Sequence, residues 1–165
     1  MEERARFDVL FYQHASRLVR LAALLGADDP EDVAAEAFCR LYAARRRLRE
    51  DDAAVVGYLN KIVVNHVRDR QRRAAVARRD AHLLTPPAGP PDAIASHADR
   101  QQVVAALAGL PPRQREVVVL RFWLDLPLGE IADITGVSTG TVKSHLSRGM
   151  AALTDRLDER GEEGR

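Results

Sequence analysis

The stretch LPLGEIADITGVSTGTVKSHLSRGMAAL, residues 126–153, decides how this chain is read. Its first half places apolar residues at Leu128, Ile131, Ala132 and Ile134, one face of a short helix. Pro127 stands near the start, where a missing N–H costs nothing. Gly136 offers the left-handed backbone position that ends such a helix. Ser138 is a good N-cap for the next one, because its hydroxyl can accept from an orphan N–H. In that second helix Val142, Leu146 and Met150 recur every four residues and are expected to pack inward. Thr141, Lys143, Ser144, Ser147 and Arg148 are left on the outer faces. The pattern is a helix-turn-helix. A helix that presents hydroxyls and cations near its start suits the DNA major groove, which offers acceptors on base edges and phosphates.

Working outward, Pro111 and Pro112 start another helix that runs to Trp123, with Phe122 and Trp123 expected in the core beside residues 117–120. A further helical pattern covers about 92–107. Before it, TPPAGPP at 85–91 has the composition of a linker, since proline and glycine there cannot continue a helix. Three helical patterns precede the linker. The first, 7–25, has apolar residues at 7, 10, 11, 18, 21, 24 and 25. Pro30 opens the second, with Asp29 as N-cap and Glu31 and Asp32 complementing the positive end of the helix dipole. Val33, Ala37 and Leu41 form its stripe, with Ala34, Phe38 and Tyr42 alongside. The third covers roughly 54–79 and is expected to bury Leu59, Ile62, Val63, His66 and Val67. There is no strand-like alternation and no repeat. The expected fold is therefore all-α, two helical domains at 1–84 and 93–157 joined by a flexible linker at 85–92. The tail, 158–165, is too polar to pack and is expected to fray.

Charge is distributed unevenly, although the 165 residues carry a net charge of only +1. Residues 1–39 hold four basic and eight acidic side chains, whereas residues 40–79 hold twelve basic and four acidic. Such asymmetry implies different partners for different faces. The single cysteine, Cys39, excludes an internal disulfide, fits a reducing cytosol and reads as a buried small residue. No signal segment or long apolar run is present, so a cytoplasmic location without membrane insertion is expected. Basic residues are almost all Arg, as in proteins of GC-rich bacteria.

The N-terminal half narrows the function. Over nearly its whole length the chain resembles the extracytoplasmic-function (ECF) group of sigma-70 family transcription initiation factors, in an actinobacterial-like form. DDPEDVAAEAFCRLY (28–42) is similar to the family's acidic polymerase-binding segment, and YLNKIVVNHVRDRQRR (58–73) to the helix that reads and helps melt the −10 element. LPPRQREVVVLRF (110–122) precedes the helix-turn-helix as it does in the family, and GTVKSHLSR (140–148) is similar to the −35 recognition helix. Four ordered segments at appropriate separations are more specific than any one of them.

The resemblance implies a sigma factor that binds core RNA polymerase, through its beta-prime clamp helices and beta flap, and promoter DNA. It implies that Asp32, Glu36, Phe38, Arg40 and Leu41 dock on polymerase. Tyr58, Lys61, Asn65, Arg68, Arg72 and Arg73 would serve the −10 element, with the loop from Arg49 to Val56 beside a flipped base. Lys143 and Arg148, with Thr141, Ser144 and Ser147, would read the −35 duplex, and Arg113 and Arg115 would anchor phosphates. An anti-sigma factor is a further implied partner. Three positions depart from the family pattern. Ala35 stands where Gln is common, Tyr58 where Trp is usual, and His145 where Arg is frequent. These bear on a polymerase hydrogen bond, on stacking and on −35 affinity, the last with a pH dependence.

Plainer readings compete at single positions. Asp29 is better explained as a helix starter, and any one Arg of 45–47 or 78–79 is as easily a solvated surface charge. His14, His66, His82, His97 and His145 show no metal-ligand spacing, and no phosphate loop or nucleophile motif occurs, so no metal, cofactor or enzymatic activity is expected. The reading from another class is a stand-alone helix-turn-helix regulator acting as a dimer on palindromic DNA. It accounts for the C-terminal half alone, and the chain offers no heptad seam for dimerisation.

Overall fold

The computed structural model describes residues 1–49, 51–81 and 98–163. Seven α-helices account for most of them: α1 (Glu2–Leu24), α2 (Pro30–Ala43), α3 (Asp52–Ala81), α4 (Ala98–Ala108), α5 (Pro112–Phe122), α6 (Leu128–Thr135) and α7 (Thr139–Glu163). A short 3-10 segment, Arg45–Arg49, joins α2 to α3. Among the described residues there is no strand. The chain divides into two compact units, one built on α1 to α3 and the other on α4 to α7. The expected linker, 85–92, and His82 and His97 lie outside the described residues.

In the first unit local signals set the helix boundaries. Asp29 caps α2 as expected, its carboxylate accepting from the Asp32 N–H at 3.0 Å, with Pro30 in the first turn. Asp51 does the same for α3, accepting from Ala54 N–H at 2.8 Å. The core is apolar and closely filled: Leu10, Leu18 and Leu21 of α1, Val33, Ala37 and Leu41 of α2, and Val55, Leu59 and Val63 of α3 are all buried. Truncating one such leucine to alanine costs about 2–5 kcal/mol, the larger figure where the cavity cannot collapse. Edge-on aromatic pairs join α1 to α2, Phe11 to Phe38 at 4.9 Å and Phe7 to Tyr42 at 5.3 Å. Arg6–Asp52 (3.1 Å) and Arg49–Glu3 (3.0 Å) tie the start of α3 and the 3-10 segment to α1.

In the second unit α7 is the central element, packing on α4, α5 and α6. Residues 117–120 of α5 are all buried, as are Ile131 and Ile134 of α6 and Val142 of α7. Gly149 marks the close approach of α5 and α7, since a Cβ there would lie 2.8 Å from Val118 Cγ2. The turn after α5 is held by the Arg121 guanidinium, which donates to the Leu126 carbonyl at 2.9 Å, and Asp125 takes a left-handed conformation within it.

Four expectations are corrected. Phe122 and Trp123 are not core: α5 ends there, and the turn carries them outward to 62% and 46% exposure. Cys39 is exposed, one position past the buried Phe38 on the far side of the helix. His66 is only half-buried, whereas its neighbours Val63 and Val67 are fully packed. The tail does not fray at 158, because α7 continues to Glu163. A polar helix can extend beyond its packed portion, since its backbone hydrogen bonds are internal.

Candidate nucleic-acid and polymerase interfaces

The turn between α6 and α7 follows from two residues. Gly136 takes φ +73°, closing α6 with its N–H on the Ala132 carbonyl at 2.9 Å. Ser138 Oγ then accepts from Thr141 N–H at 3.2 Å and lies 2.9 Å from the Thr141 hydroxyl. Val142 anchors the new helix in the core, with Leu146 and Met150 half-buried below it. Thr141, Lys143, Ser144, Ser147 and Arg148 are all exposed, and among the described residues no ion pair engages Lys143 or Arg148. At about 100° per residue, Gly140, Ser144 and Ser147 occupy the middle of the outward face. Arg148 and Thr141 flank it on one side and Lys143 on the other. A face with small residues at its centre and cations at its edges allows close approach to base edges while the cations reach phosphates or guanines.

Arg113 and Arg115 of α5 are less available. Arg113 lies 3.5 Å from the buried Glu116, and Arg115 donates to the Leu110 carbonyl at 3.3 Å, bracing the turn before its own helix.

In the first unit α3 carries the basic track. Tyr58, Asn65 and Arg68 are half-buried, and Lys61, Arg72 and Arg73 are exposed. By helical geometry Tyr58, Lys61, Asn65, Arg68 and Arg72 share one stripe, whereas Arg73 lies roughly 100° off it. The Tyr58 ring is covered by the Arg47 guanidinium, 4.8 Å from its centroid.

On α2 the structure divides the expected polymerase set. Asp32 and Arg40 are exposed and Glu36 is half-buried, whereas Phe38 and Leu41 are buried, at 3% and 0% exposure. Phe38 packs edge-on against Phe7 and Phe11, so the structure places these two residues behind the exposed face of α2 and not on it. Ala35 and Cys39 stand on the open side instead. Glu36 accepts from Arg40 at 2.7 Å, and that hydrogen bond holds its carboxyl below the usual range.

Arg70 was missed by the reading of the sequence. It reaches from α3 to the start of α2, its guanidinium 2.6 Å from Asp32 and 3.3 Å from Asp28. For Arg47 the sequence leaves a solvated surface charge and a functional one equally open, and only the structure places it on the Tyr58 ring. No local spacing announces a pair 38 residues apart, so only the packing of α2 on α3 reveals it.

Among the described residues no cluster of His, Cys, Asp or Glu could hold a metal ion, and no helix is long and apolar enough to cross a membrane.

Comparison with known proteins agrees with this geometry. Residues 10–76 match the family described as Sigma-70 region 2, and residues 100–153 that described as Sigma-70, region 4. The chain is 34% identical over 159 residues to the RNA polymerase sigma-E factor of Streptomyces coelicolor, covering 95% of this chain and 89% of that protein. It is 35% identical over 164 residues to the ECF RNA polymerase sigma factor SigM of Mycobacterium tuberculosis, covering 94% and 79%. Among solved structures, the sigma factor RpoE of Bartonella quintana, in complex with the anti-sigma factor NepR, aligns with a TM-score of 0.77 at 22% identity, over 92% of this chain and 96% of that one. CnrH in complex with the cytosolic domain of CnrY aligns with a TM-score of 0.61 at 26% identity, over 93% and 88%. With both conserved regions present in order, and relatives of this identity matched along most of their length, the chain belongs to the ECF group of the sigma-70 family, the RNA polymerase sigma factors that direct promoter-specific initiation.

Proposed function

We propose that the outward face of α7, through Lys143, Arg148, Thr141, Ser144 and Ser147, reads the −35 duplex, while the α3 stripe from Tyr58 to Arg72 guides the separated −10 strand. The observation that carries this reading is the exposed set of donors, with Lys143 and Arg148 in no ion pair among the described residues, on a helix that Gly136 and Ser138 orient away from the core. Asp32, Glu36 and Arg40 dock α2 on the polymerase clamp helices, with Phe38 and Leu41 keeping that face in shape. Arg113, with its partly exposed side chain, supports a phosphate contact. Arg115 contributes by bracing α5. The beta flap is the second polymerase contact, made by the C-terminal unit.

Strand separation draws on the binding energy of the whole polymerase complex. The chain itself supplies contacts and no catalytic group or cofactor, and it works in the cytoplasm. An anti-sigma factor is the partner that would restrain it; the aligned RpoE is seen in complex with one, NepR. The working division is residues 1–84 for polymerase and the −10 element, 93–157 for the −35 element, and 85–92 for reach between them.

Run-off transcription with purified core polymerase tests this reading. Transcripts should appear only when both components are present, vanish when Lys143 and Arg148 become alanine, and be lost when 86–91 are deleted. Tight binding of duplex DNA by the chain alone, with no polymerase dependence, would favour the dimeric regulator.

A further inference from the structure

Lysine is scarce in this chain: of its 25 lysines and arginines, only Lys61 and Lys143 are lysine. They stand on different helices, α3 and α7, and each lies in one of the two proposed nucleic-acid faces. Both are exposed, and among the described residues neither is held in an ion pair. The ion pairs of the fold engage Arg6, Arg40, Arg49, Arg70 and Arg113 instead.

The sequence around each lysine accounts for this. Arg40 and Arg113 have a glutamate one turn away, whereas no carboxylate stands three or four positions from Lys61 or Lys143. A glycine one turn before each lysine keeps the approach clear. A Cβ at Gly57 would meet nothing within 4 Å, and one at Gly140 would meet only Ser138 Oγ, at 3.9 Å. The two kinds of cation also differ in chemistry. A guanidinium stays protonated, whereas a lysine amine can be acylated and then carries no charge.

We infer that Lys61 and Lys143 are paired acylation sites, through which a small acyl phosphate switches off both nucleic-acid faces. The inference rests on the proposed reading of those faces and adds a means of controlling them. The unprotonated fraction of each Nζ attacks the acyl carbon. A C–N bond forms, the C–O bond to phosphate breaks, phosphate leaves with the electron pair, and the proton of the amine passes to solvent. The product is a neutral amide. The donor is an anion, so faces arranged for DNA phosphates also gather it. Each acylation removes one cation from a face and leaves the arginine ion pairs of the fold untouched.

The test starts from the purified full chain and acetyl phosphate, read by peptide mass spectrometry. Both lysines should acylate, and high salt should slow them by about twofold or more relative to the α-amino terminus, because screening weakens donor capture. The partly acylated chain, freed of donor, is assembled with Streptomyces coelicolor core polymerase. The holoenzyme is passed over an immobilised duplex that untreated holoenzyme selects from a random-sequence library. Acyl-Lys143 should be depleted from the retained fraction by about fivefold or more, the loss expected for one base contact. Acyl-Lys61 should be depleted to a similar degree from complexes that survive a heparin challenge. Chain acylated at its terminus alone should divide evenly.

Retention of either acyl-lysine at the level of unmodified chain would overturn the switch. So would acylation that spares the lysines or ignores salt. Failure of the acylated chain to join the core would overturn it as well, by moving the effect to the polymerase contact. If untreated holoenzyme retains no duplex, the reading of α3 and α7 fails and the switch falls with it. Equal retention of modified and unmodified chain defeats the switch alone.

Discussion

The two units use the same capping chemistry and opposite charge strategies. Asp29 and Ser138 each accept from an N–H three residues on and launch a helix with a proposed binding face. Beyond the caps they diverge. Lys143 and Arg148 of α7 have no carboxylate partner among the described residues, so that face meets the solvent with its charges open, as the proposed reading of a rigid duplex requires. In the first unit Arg70 is held by Asp28 and Asp32, Arg40 by Glu36, and Arg47 lies on the Tyr58 ring. Its surfaces are already partly neutralised. A partner must share or displace those contacts, and α3 and α2 are joined by the same arginine. The difference suits the two tasks: intact duplex is read as it is, whereas a separated strand must be accepted by side chains that rearrange.

The largest expected effect would come from breaking the open half of this contrast. Lys143→Ala or Arg148→Ala should weaken −35 binding by about 1–3 kcal/mol where the side chain reads a base, with specificity relaxed at one position. A uniform loss across sequences, with a salt slope lower by about one, would assign that residue to phosphate instead. Binding of holoenzyme to a panel of −35 variants at several salt concentrations separates the two.

The caps test what the units share. Asp29→Ala and Ser138→Ala should each cost about 1 kcal/mol of stability, measured by denaturant unfolding. A marked inequality would mean that one helix is held by its packing more than by its cap.

Arg70→Ala probes the neutralised half. Its pairs are largely exposed, so stability should fall by only about 0.2–1 kcal/mol. Polymerase affinity should change more than stability does, because Asp28 and Asp32 lose their partner. Equal effects on both would reduce Arg70 to a surface ion pair.

The smallest effect is a pH dependence confined to the first unit. Burial, assisted by Arg17 and opposed by Asp52, lowers the pKa of His14 below its usual 6.5. The unfolded chain therefore takes up a proton that the folded one resists. Stability is fully present above about pH 6.5 and declines as pH falls below it. His14→Gln should flatten that decline in unfolding experiments between pH 5 and pH 7; an unchanged slope would place its origin elsewhere.

The sequence by itself determined the helices, the turn between α6 and α7, and the outward set on α7. Each depends on neighbours within a turn or two: a cap at Asp29 or Ser138, a left-handed Gly136, apolar residues at helical spacing. It also carried the family, through motifs that are contiguous in the chain. What it misjudged or missed lies at the ends of packed elements or between distant ones. Phe122 and Trp123 looked like core because they follow four buried residues, but a helix end turns side chains outward, and no composition rule locates that turn to the residue. Phe38 and Leu41 belong to a segment similar to the family's polymerase-binding one, yet the position of α1 decides that they face inward. Arg70 on Asp32, 38 residues away, and Arg47 on Tyr58, across the turn from the 3-10 segment into α3, are products of packing. Only the tertiary structure decides them, because side-chain reach depends on where the helices come to rest.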